Sequence, residues 1–337
     1  MSMKKPLGLI LAGGQSKRLF PVTVPKPLLK VNGISLLEQS IRRLKGFDVY
    51  IVTNAQIAEE IRKAFRADRI KIPSFIIEPE GRDTAAAVGY GIRMAEKKRK
   101  HPWVAVLSAD QWMPDDRNFS KFLKNMQSEI QKFPDALFVG GSSASTKAPH
   151  SHSQFGWIAP QRTEKNSSAV KKFVEKPKGT LLQKMRKSKA LINAGMFFGR
   201  PEVFLKAYQK FYPEILSATP KNYYQLKRQP IDRAIFENYS KVRVIALPMR
   251  WEDLGTWEDW FTNVGTQVST KNSVKSKKMK VSTGAQIRCK KVLISADEDF
   301  EIFGFDLEDL AIIQSGSKLL VMPLSKTRDL KNYLENL

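Results

Sequence analysis

Leu7-Gly8-Leu9-Ile10-Leu11-Ala12-Gly13-Gly14-Gln15-Ser16-Lys17-Arg18-Leu19-Phe20-Pro21, followed by Pro25-Lys26-Pro27-Leu28, is the stretch on which the reading of the fold turns. An apolar run of this length reads as a buried strand. It ends at two glycines, where backbone N–H groups can approach an anion with no Cβ in the way. Arg18 and Lys26 bring fixed positive charge to the same space, as chemistry at a triphosphate requires. No Gly-Lys-Ser or Gly-Lys-Thr precedes a helix here, so the loop is not of the Walker A kind.

Outward from this stretch, apolar strand patterns alternate with helical ones. Strands are expected at residues 7–11, 49–52, 74–78, 104–108 and 137–140, and helices at 35–44, 57–65, 84–97 and 118–131. Strand–helix repetition of this kind predicts an α/β fold with a Rossmann-like, mostly parallel sheet covered on both faces. Ligands in such sheets bind beyond the carboxyl ends of the strands, where Gly13-Gly14 and Asp110 fall. After about residue 265 the helical period fades. Short alternating runs (280–282, 286–289, 292–295, 301–305, 311–314 and 319–323) then predict a small β module closed by an amphipathic helix at 326–337. Residues 1–268 form the expected main domain and 279–337 the module, with the lysine-rich 270–278 as linker.

The length of 337 residues suits a large domain with a smaller one. The single cysteine, Cys289, can close no intrachain disulfide, which fits a reducing, cytoplasmic setting. No apolar run is long enough for a membrane span, and the run after Met1 reads as a first strand rather than a secretory signal. Lys and Arg number 57 against 33 Asp and Glu, a formal net charge of +24. The basic residues are spread along the chain rather than gathered in one aromatic-interleaved stripe, so solvated faces are the expected reading and a nucleic-acid footprint is not. His150-Ser151-His152 has no further cysteine or histidine ligand near it, which argues against a zinc site.

The acid at the end of Val104-Ala105-Val106-Leu107-Ser108-Ala109-Asp110 can hold Mg²⁺ at a strand edge or cap the next element. Further motifs are Glu78-Pro79-Glu80-Gly81-Arg82-Asp83-Thr84-Ala85, Phe155-Gly156-Trp157-Ile158, Phe173-Val174-Glu175-Lys176-Pro177, Asn193-Ala194-Gly195-Met196-Phe197 and Trp251-Glu252-Asp253-Leu254-Gly255-Thr256-Trp257. A carboxylate, an amide and a close-approach glycine suit sugar hydroxyls. Asp83 can accept two N–H donors from a ligand and equally can cap the helix that follows.

Taken in order, these motifs resemble the sugar-phosphate nucleotidyltransferases, most closely the mannose-1-phosphate guanylyltransferases. The opening stretch resembles L-A-G-G-x-G-x-R-L-x-P…P-K, with Ser16 in place of the third glycine and Lys17 in place of a small or polar residue. Ser108 and Gln111 depart from P-A-D-H, and Asp83 and Ala86 from the Asn and Pro of the guanylyltransferase box. The resemblance implies a nucleotide-diphospho-sugar transferase fold with a β-helix-like tail, and GTP and mannose 1-phosphate as substrates. It implies catalytic roles for Arg18, Lys26, Asp110 and Asp253, with Mg²⁺ on Asp110 and Asp253. Nucleotide would meet Leu11, Ala12, Gly13, Gly14, Gln15, Ser16, Glu78, Asp83, Thr84 and Ala85. Sugar phosphate would meet Gly156, Glu175, Lys176 and Asn193. Another sugar 1-phosphate (manno-heptose or glucose), another NTP, or a non-catalytic regulatory homologue stay open as alternatives, as does a homodimer.

Overall fold

A computed structural model of the chain describes residues 4–13, 17–143, 154–188, 190–264, 290–296 and 307–336. In chain order the elements are β1 (Leu7–Leu11), β2 (Lys30–Val31), β3 (Ile34–Ser35), α1 (Leu36–Arg43), β4 (Asp48–Thr53), α2 (Ala55–Ala67), β5 (Ser74–Ile77), α3 (Asp83–Lys98), β6 (Val104–Ser108), α4 (Asp116–Lys132) and β7 (Leu137–Ser142). There follow β8 (Trp157–Pro160), β9 (Ser167–Val174), α5 (Gly179–Lys187), β10 (Leu191–Gly199), α6 (Pro201–Phe211), β11 (Val242–Ala246), α7 (Trp257–Val264), β12 (Lys290–Ser295), β13 (Glu308–Ser315), β14 (Lys318–Pro323) and α8 (Leu330–Glu335). Short polar side chains start several of the helices. Ser35 Oγ accepts from Glu38 N at 3.1 Å, Asn54 Oδ1 from Ile57 N at 2.9 Å, and Asp115 Oδ1 from Asn118 N at 3.0 Å, each satisfying a donor the helix itself cannot.

The main sheet runs β5-β4-β1-β6-β10-β7-β11-β9-β8. Strands β1, β4 and β6 read as apolar runs because both faces are covered, and the period-2 alternation sorts them between two cores. Leu7 and Leu9 of β1, Tyr50 and Val52 of β4, and Val104 and Val106 of β6 face one core, which α3 and α6 cover. Ile10, Ile51, Ala105 and Leu107 of the same strands face the other, with Ile61 and Phe65 of α2 and Phe119 and Phe122 of α4. The sheet is mixed rather than mostly parallel. The half β5-β4-β1-β6 is parallel, but β10 runs antiparallel to both β6 and β7, and β8 and β9 pair antiparallel at the far side. The expectation failed because the chain after β7 returns through β8, which starts just after Gly156, and β10, which carries Asn193 and Gly195. Those residues look like ligand motifs and interrupt a strand pattern.

In the C-terminal module the described strands form a three-stranded sheet, β12-β13-β14, parallel on one side of β13 and antiparallel on the other. The runs expected at 280–282, 286–289 and 301–305, on which a β-helix-like tail depends, lie outside the described residues, as does the linker 270–278. The helix expected at 326–337 is broken into a 3₁₀ turn, Leu324–Asp329, and the short α8. Its buried residues explain the break: Leu324, Thr327 and Leu330 recur every third position, the period of a 3₁₀ helix rather than an α-helix.

A third apolar cluster ties this module to the glycine-loop end of the main domain. Leu19, Val22, Leu29 and Leu36 pack with Leu254, Trp257 and Trp260 and with Leu293, Ile313 and Leu330. The buried indoles are satisfied by main chain, Trp257 Nε1 donating to Phe20 O at 3.0 Å and Trp260 Nε1 to Leu254 O at 3.1 Å. Ile313 is fully buried at this junction. Ile313→Ala should therefore cost about 2–5 kcal/mol, read as a lowered urea midpoint; an unchanged midpoint would show that the module does not pack on the main domain as described.

Candidate active site

The carboxyl ends of the adjacent parallel strands β1 and β6 open onto a cleft of about 430 Å³. Ala12, Gly13, Arg18, Lys26, Glu78 and Asp110 are on its wall. A second cavity of about 520 Å³ lies between residues 20–25, the start of α2 and the C-terminal helix, and contains none of these charged groups. Of the two, the first is the candidate site because it collects the reactive side chains.

At its centre is Lys26, almost wholly buried. Pro25 and Pro27 flank it and lead into a short 3₁₀ turn, Lys26–Leu28, which fixes the backbone from which the side chain extends. Its ammonium donates to Asp110 Oδ2 at 2.9 Å and to the carbonyl oxygen of Asp253, and lies 3.5 Å from Asp253 Oδ1. The two acids come from distant points of the chain, one after β6 and one just before α7. A backbone bridge joins their neighbours, Trp112 N donating to Glu252 O at 2.9 Å and Glu252 N to Trp112 O at 3.0 Å. Burial would lower the pKa of Lys26, but the two carboxylates outweigh it and hold the ammonium above the ordinary lysine value. Burial would raise Asp110; Lys26 and a hydrogen bond from Ser108 Oγ reverse that and keep it below the usual carboxylate range. Asp253 goes the other way, raised by burial and by the charge of Asp110 despite the pull of Lys26.

Arg18 approaches the same node. Its Nη1 donates to Gln154 Oε1 at 3.3 Å, and a Cβ placed on Gly255 would lie 3.3 Å from Nη1 and 2.8 Å from Asp253 Oδ2. Glycine at 255 thus lets the guanidinium and the acid come close together. Gly14, Gln15 and Ser16 lie outside the described residues, as do His150 and His152.

On the far side, Glu78 is buried beneath Gly13 and accepts from Tyr223 OH at 2.7 Å. Burial pushes its carboxyl up to about 7, the tyrosine bond pulling it down and Asp83 adding to the rise. Asp83 lines the cleft with φ +67, and its Oδ1 accepts from the N–H of Thr84 at 2.6 Å. It is the first residue of α3 rather than the residue before it, yet it serves a helix-start donor while facing the cleft. Thr84 Oγ1 accepts from Ile231 N at 2.9 Å. Ala85 is fully buried, its N–H donating to Gln229 O and its carbonyl accepting from Tyr208 OH, and it is not on the cleft wall.

The four sugar-motif residues are gathered, but one layer behind the wall. Asn193 N donates to Gly156 O at 2.8 Å, and a Cβ on Gly156 would lie 2.7 Å from Glu175 Oε2. Glu175 is ion-paired with the exposed Lys176 at 3.3 Å. Asn193 Nδ2 donates to Asp232 Oδ1 at 2.5 Å, while its Oδ1 accepts from Gly195 N at 2.9 Å. Asp232 and Gly195 carry this cluster to the cleft surface. Burial, with Glu175 nearby, pushes Asp232 up to about 7. Asp232 is a cleft residue that the sequence reading did not single out, and Gln111 one that it met only as a departure from the motif. Asp232 opens a single π-helical turn, Asp232–Phe236, a local winding with no periodic signature in sequence.

Among the described residues no group of three or more His, Cys, Asp or Glu side chains converges, and no helix is long and apolar enough to cross a membrane. Asp110 and Asp253 are two hard oxygen donors whose side chains keep 30% and 28% exposure.

A family model described as Nucleotidyl transferase matches residues 7–268. A mannose-1-phosphate guanylyltransferase from Escherichia coli is 26% identical, the alignment covering 99% of this chain and 76% of that protein. One from Klebsiella pneumoniae is 24% identical over 98% of this chain and 73% of that protein. A crystal structure from Thermus thermophilus, named as a mannose-1-phosphate geranyltransferase, has a TM-score of 0.79 at 23% identity, covering 98% of this chain and 99% of that one. At that identity the likeness is one of fold.

Asp232 yields a pH-dependent stability. Its carboxyl, near 7 folded against an ordinary value of 3.8, binds its proton more tightly in the native state. Native stability therefore falls as pH rises through that window, by at most about 1.4 kcal/mol per pH unit, and the deficit is complete above 7. Asp232→Asn keeps an acceptor for Asn193 and removes the titration, so its thermal midpoint should gain on the unmodified protein as pH is raised from 4 to 8. A difference that stays constant with pH would show that Asp232 does not titrate in this window.

Proposed function

The chain belongs to the nucleotidyl transferase family, and from that premise we propose that it transfers GMP from GTP to mannose 1-phosphate, giving GDP-mannose and pyrophosphate. The observation that carries this reading is the Lys26 ammonium set between Asp110 and Asp253 at the strand-end cleft, with Arg18 beside it. Fixed cations and paired acids in one partly desolvated site suit a reaction whose catalysis is positioning and charge neutralisation, with no covalent intermediate. A phosphate oxygen of the sugar phosphate attacks the α-phosphorus in line and pyrophosphate leaves. Arg18 and Lys26 hold the triphosphate and offset the charge that builds on the leaving group. Lys26 is kept cationic by its two acids, so it does so across the physiological pH range.

Asp110 and Asp253 fit a magnesium ion, which commonly takes one or two carboxylates and completes its shell from substrate phosphates and water. The chemistry it would supply here is polarisation of the phosphate oxygens and orientation of the two phosphate groups. The mannose 1-phosphate guanylyltransferases among the relatives support the choice of substrates. In this reading Lys176, exposed beside Glu175, meets the sugar phosphate, and the Glu78–Thr84 edge of the cleft meets the base. An ionised Glu78 can accept from both guanine donors, and a base without an N1–H donor leaves a buried acceptor unpaired.

A pyrophosphate-release assay over the common NTPs and several sugar 1-phosphates tests this directly. GTP should exceed ATP by at least about tenfold in kcat/KM, the discrimination one stranded acceptor provides; a clear preference for dTTP or UTP would replace guanine by another base. Asp110→Asn and Asp253→Asn should each lower kcat by on the order of 10²-fold or more, and full activity in both with magnesium chelated would remove the acids from the reaction. If Glu78 reads guanine as the carboxylate, KM for GTP should rise as pH falls below about 7. A KM flat between pH 5.5 and 8 would assign the base to other groups.

A further inference from the structure

Gln111 follows Asp110 directly, is 4% exposed, and is on the wall of the cleft. Its Nε2 donates to the main-chain carbonyl of Ala194 at 2.6 Å. A carbonyl can only accept, so this contact fixes which end of the amide faces β10 and leaves Oε1 as the other end. That oxygen is buried and has no hydrogen-bond partner among the described residues. Buried acceptors are ordinarily satisfied, so an oxygen with no protein donor on a residue of the cleft wall can take one from a bound ligand.

The position of the amide identifies the donor. Gln111 separates the acid that meets Lys26 from β10, the strand that carries Asn193 and Gly195. Asn193 of that strand bonds Asp232 on the same wall, so Gln111 is tied to the Asn193–Asp232 side of the cleft as well as following the acid that meets Lys26. Gly195, at φ +62, sits against the amide; a Cβ there would lie 3.0 Å from Gln111 Nε2, the end that Ala194 O holds. A sugar hydroxyl is the donor that suits the place, because it can give its proton to Oε1 while accepting from another group. We propose that Gln111 Oε1 accepts a hydrogen bond from one hydroxyl of the sugar ring and thereby sets which sugar 1-phosphate is used. The inference rests on the sugar 1-phosphate reading given above and adds the residue that inspects the ring.

The test is calorimetric titration of mannose 1-phosphate and its monodeoxy analogues into the full chain saturated with a GTP analogue whose α,β-bridge is a methylene. Gln111→Met, which keeps the volume and loses the acceptor, should weaken mannose 1-phosphate by about tenfold without altering affinity for the GTP analogue. One monodeoxy analogue should be weakened equally for the unmodified protein, and should lose nothing further in Gln111→Met. Gln111→His keeps one donor for Ala194 and one acceptor nitrogen, and should recover most of the affinity; it also serves if the Met variant does not fold. Equal affinity of the unmodified protein and Gln111→Met for mannose 1-phosphate, or a loss in Gln111→Met that falls on the GTP analogue instead, overturns the inference. Turnover by the unmodified protein is read separately in the pyrophosphate assay, so active protein with indifferent Gln111 variants rejects Gln111 alone. Inactive protein that still binds the sugar phosphate through Gln111 rejects the transferase reaction alone.

Discussion

One buried ammonium organises the functional end of this molecule. Lys26 reaches Asp110, 84 positions later in the chain, and Asp253, 227 positions later. Two carboxylates so close repel each other, and burial makes the repulsion worse. The lysine charge is what allows them to share a site, and they in turn keep it protonated where burial would neutralise it. Each part of the node stabilises the charge state that another needs. A buried arrangement of this kind is a poor source of net stability, since desolvation consumes most of the Coulomb gain. Its value lies in holding fixed charge where phosphate chemistry can use it.

The rest of the fold keeps that node in place. The parallel half of the sheet brings the ends of β1 and β6 side by side, so Gly13 and Asp110 emerge together. The Trp112–Glu252 bridge delivers Asp253 from a distant point of the chain. The cluster around Trp257 and Trp260 then clamps Leu19 and Val22, which lie in the segment between Arg18 and Lys26, against the C-terminal module. Packing far from the cleft therefore bears on the position of both cations. Glu78 and Asp232, each near 7, are costs accepted at the same site. They are buried carboxyls held by the neutral partners Tyr223 and Asn193, and a stability optimum alone would not retain them.

Much of this was legible in the sequence, for a physical reason. Strands covered on both faces carry unbroken apolar runs, so β1, β4, β5, β6 and β7 stand out, and their helices keep a clear 3.6 period between polar caps. Lys26, Asp110 and Asp253 were legible because their neighbours are distinctive: prolines beside one, an apolar strand before another, tryptophans around the third. The later strands were not, because β8 is only four residues long, starting just after Gly156, and β10 is interrupted by Asn193 and Gly195. Asp232 gave no signal, since a lone π turn has no repeat to detect. Gln111 stood out in sequence only as a motif departure, and its unpaired oxygen shows only once Ala194 is known to hold its other end. Ala85 looked like a contact by its place in a motif, and the structure uses it to seat α3.

The most direct measurement is the pyrophosphate-release rate of Lys26→Met, normalised to folded protein by circular dichroism, with GTP and mannose 1-phosphate at saturation. If the ammonium between the two acids is the centre of the reaction, turnover falls by on the order of 10²-fold or more while the fold persists. Turnover per folded molecule equal to that of the unmodified protein would contradict the account and reduce the Lys26–Asp110–Asp253 node to a structural ion pair.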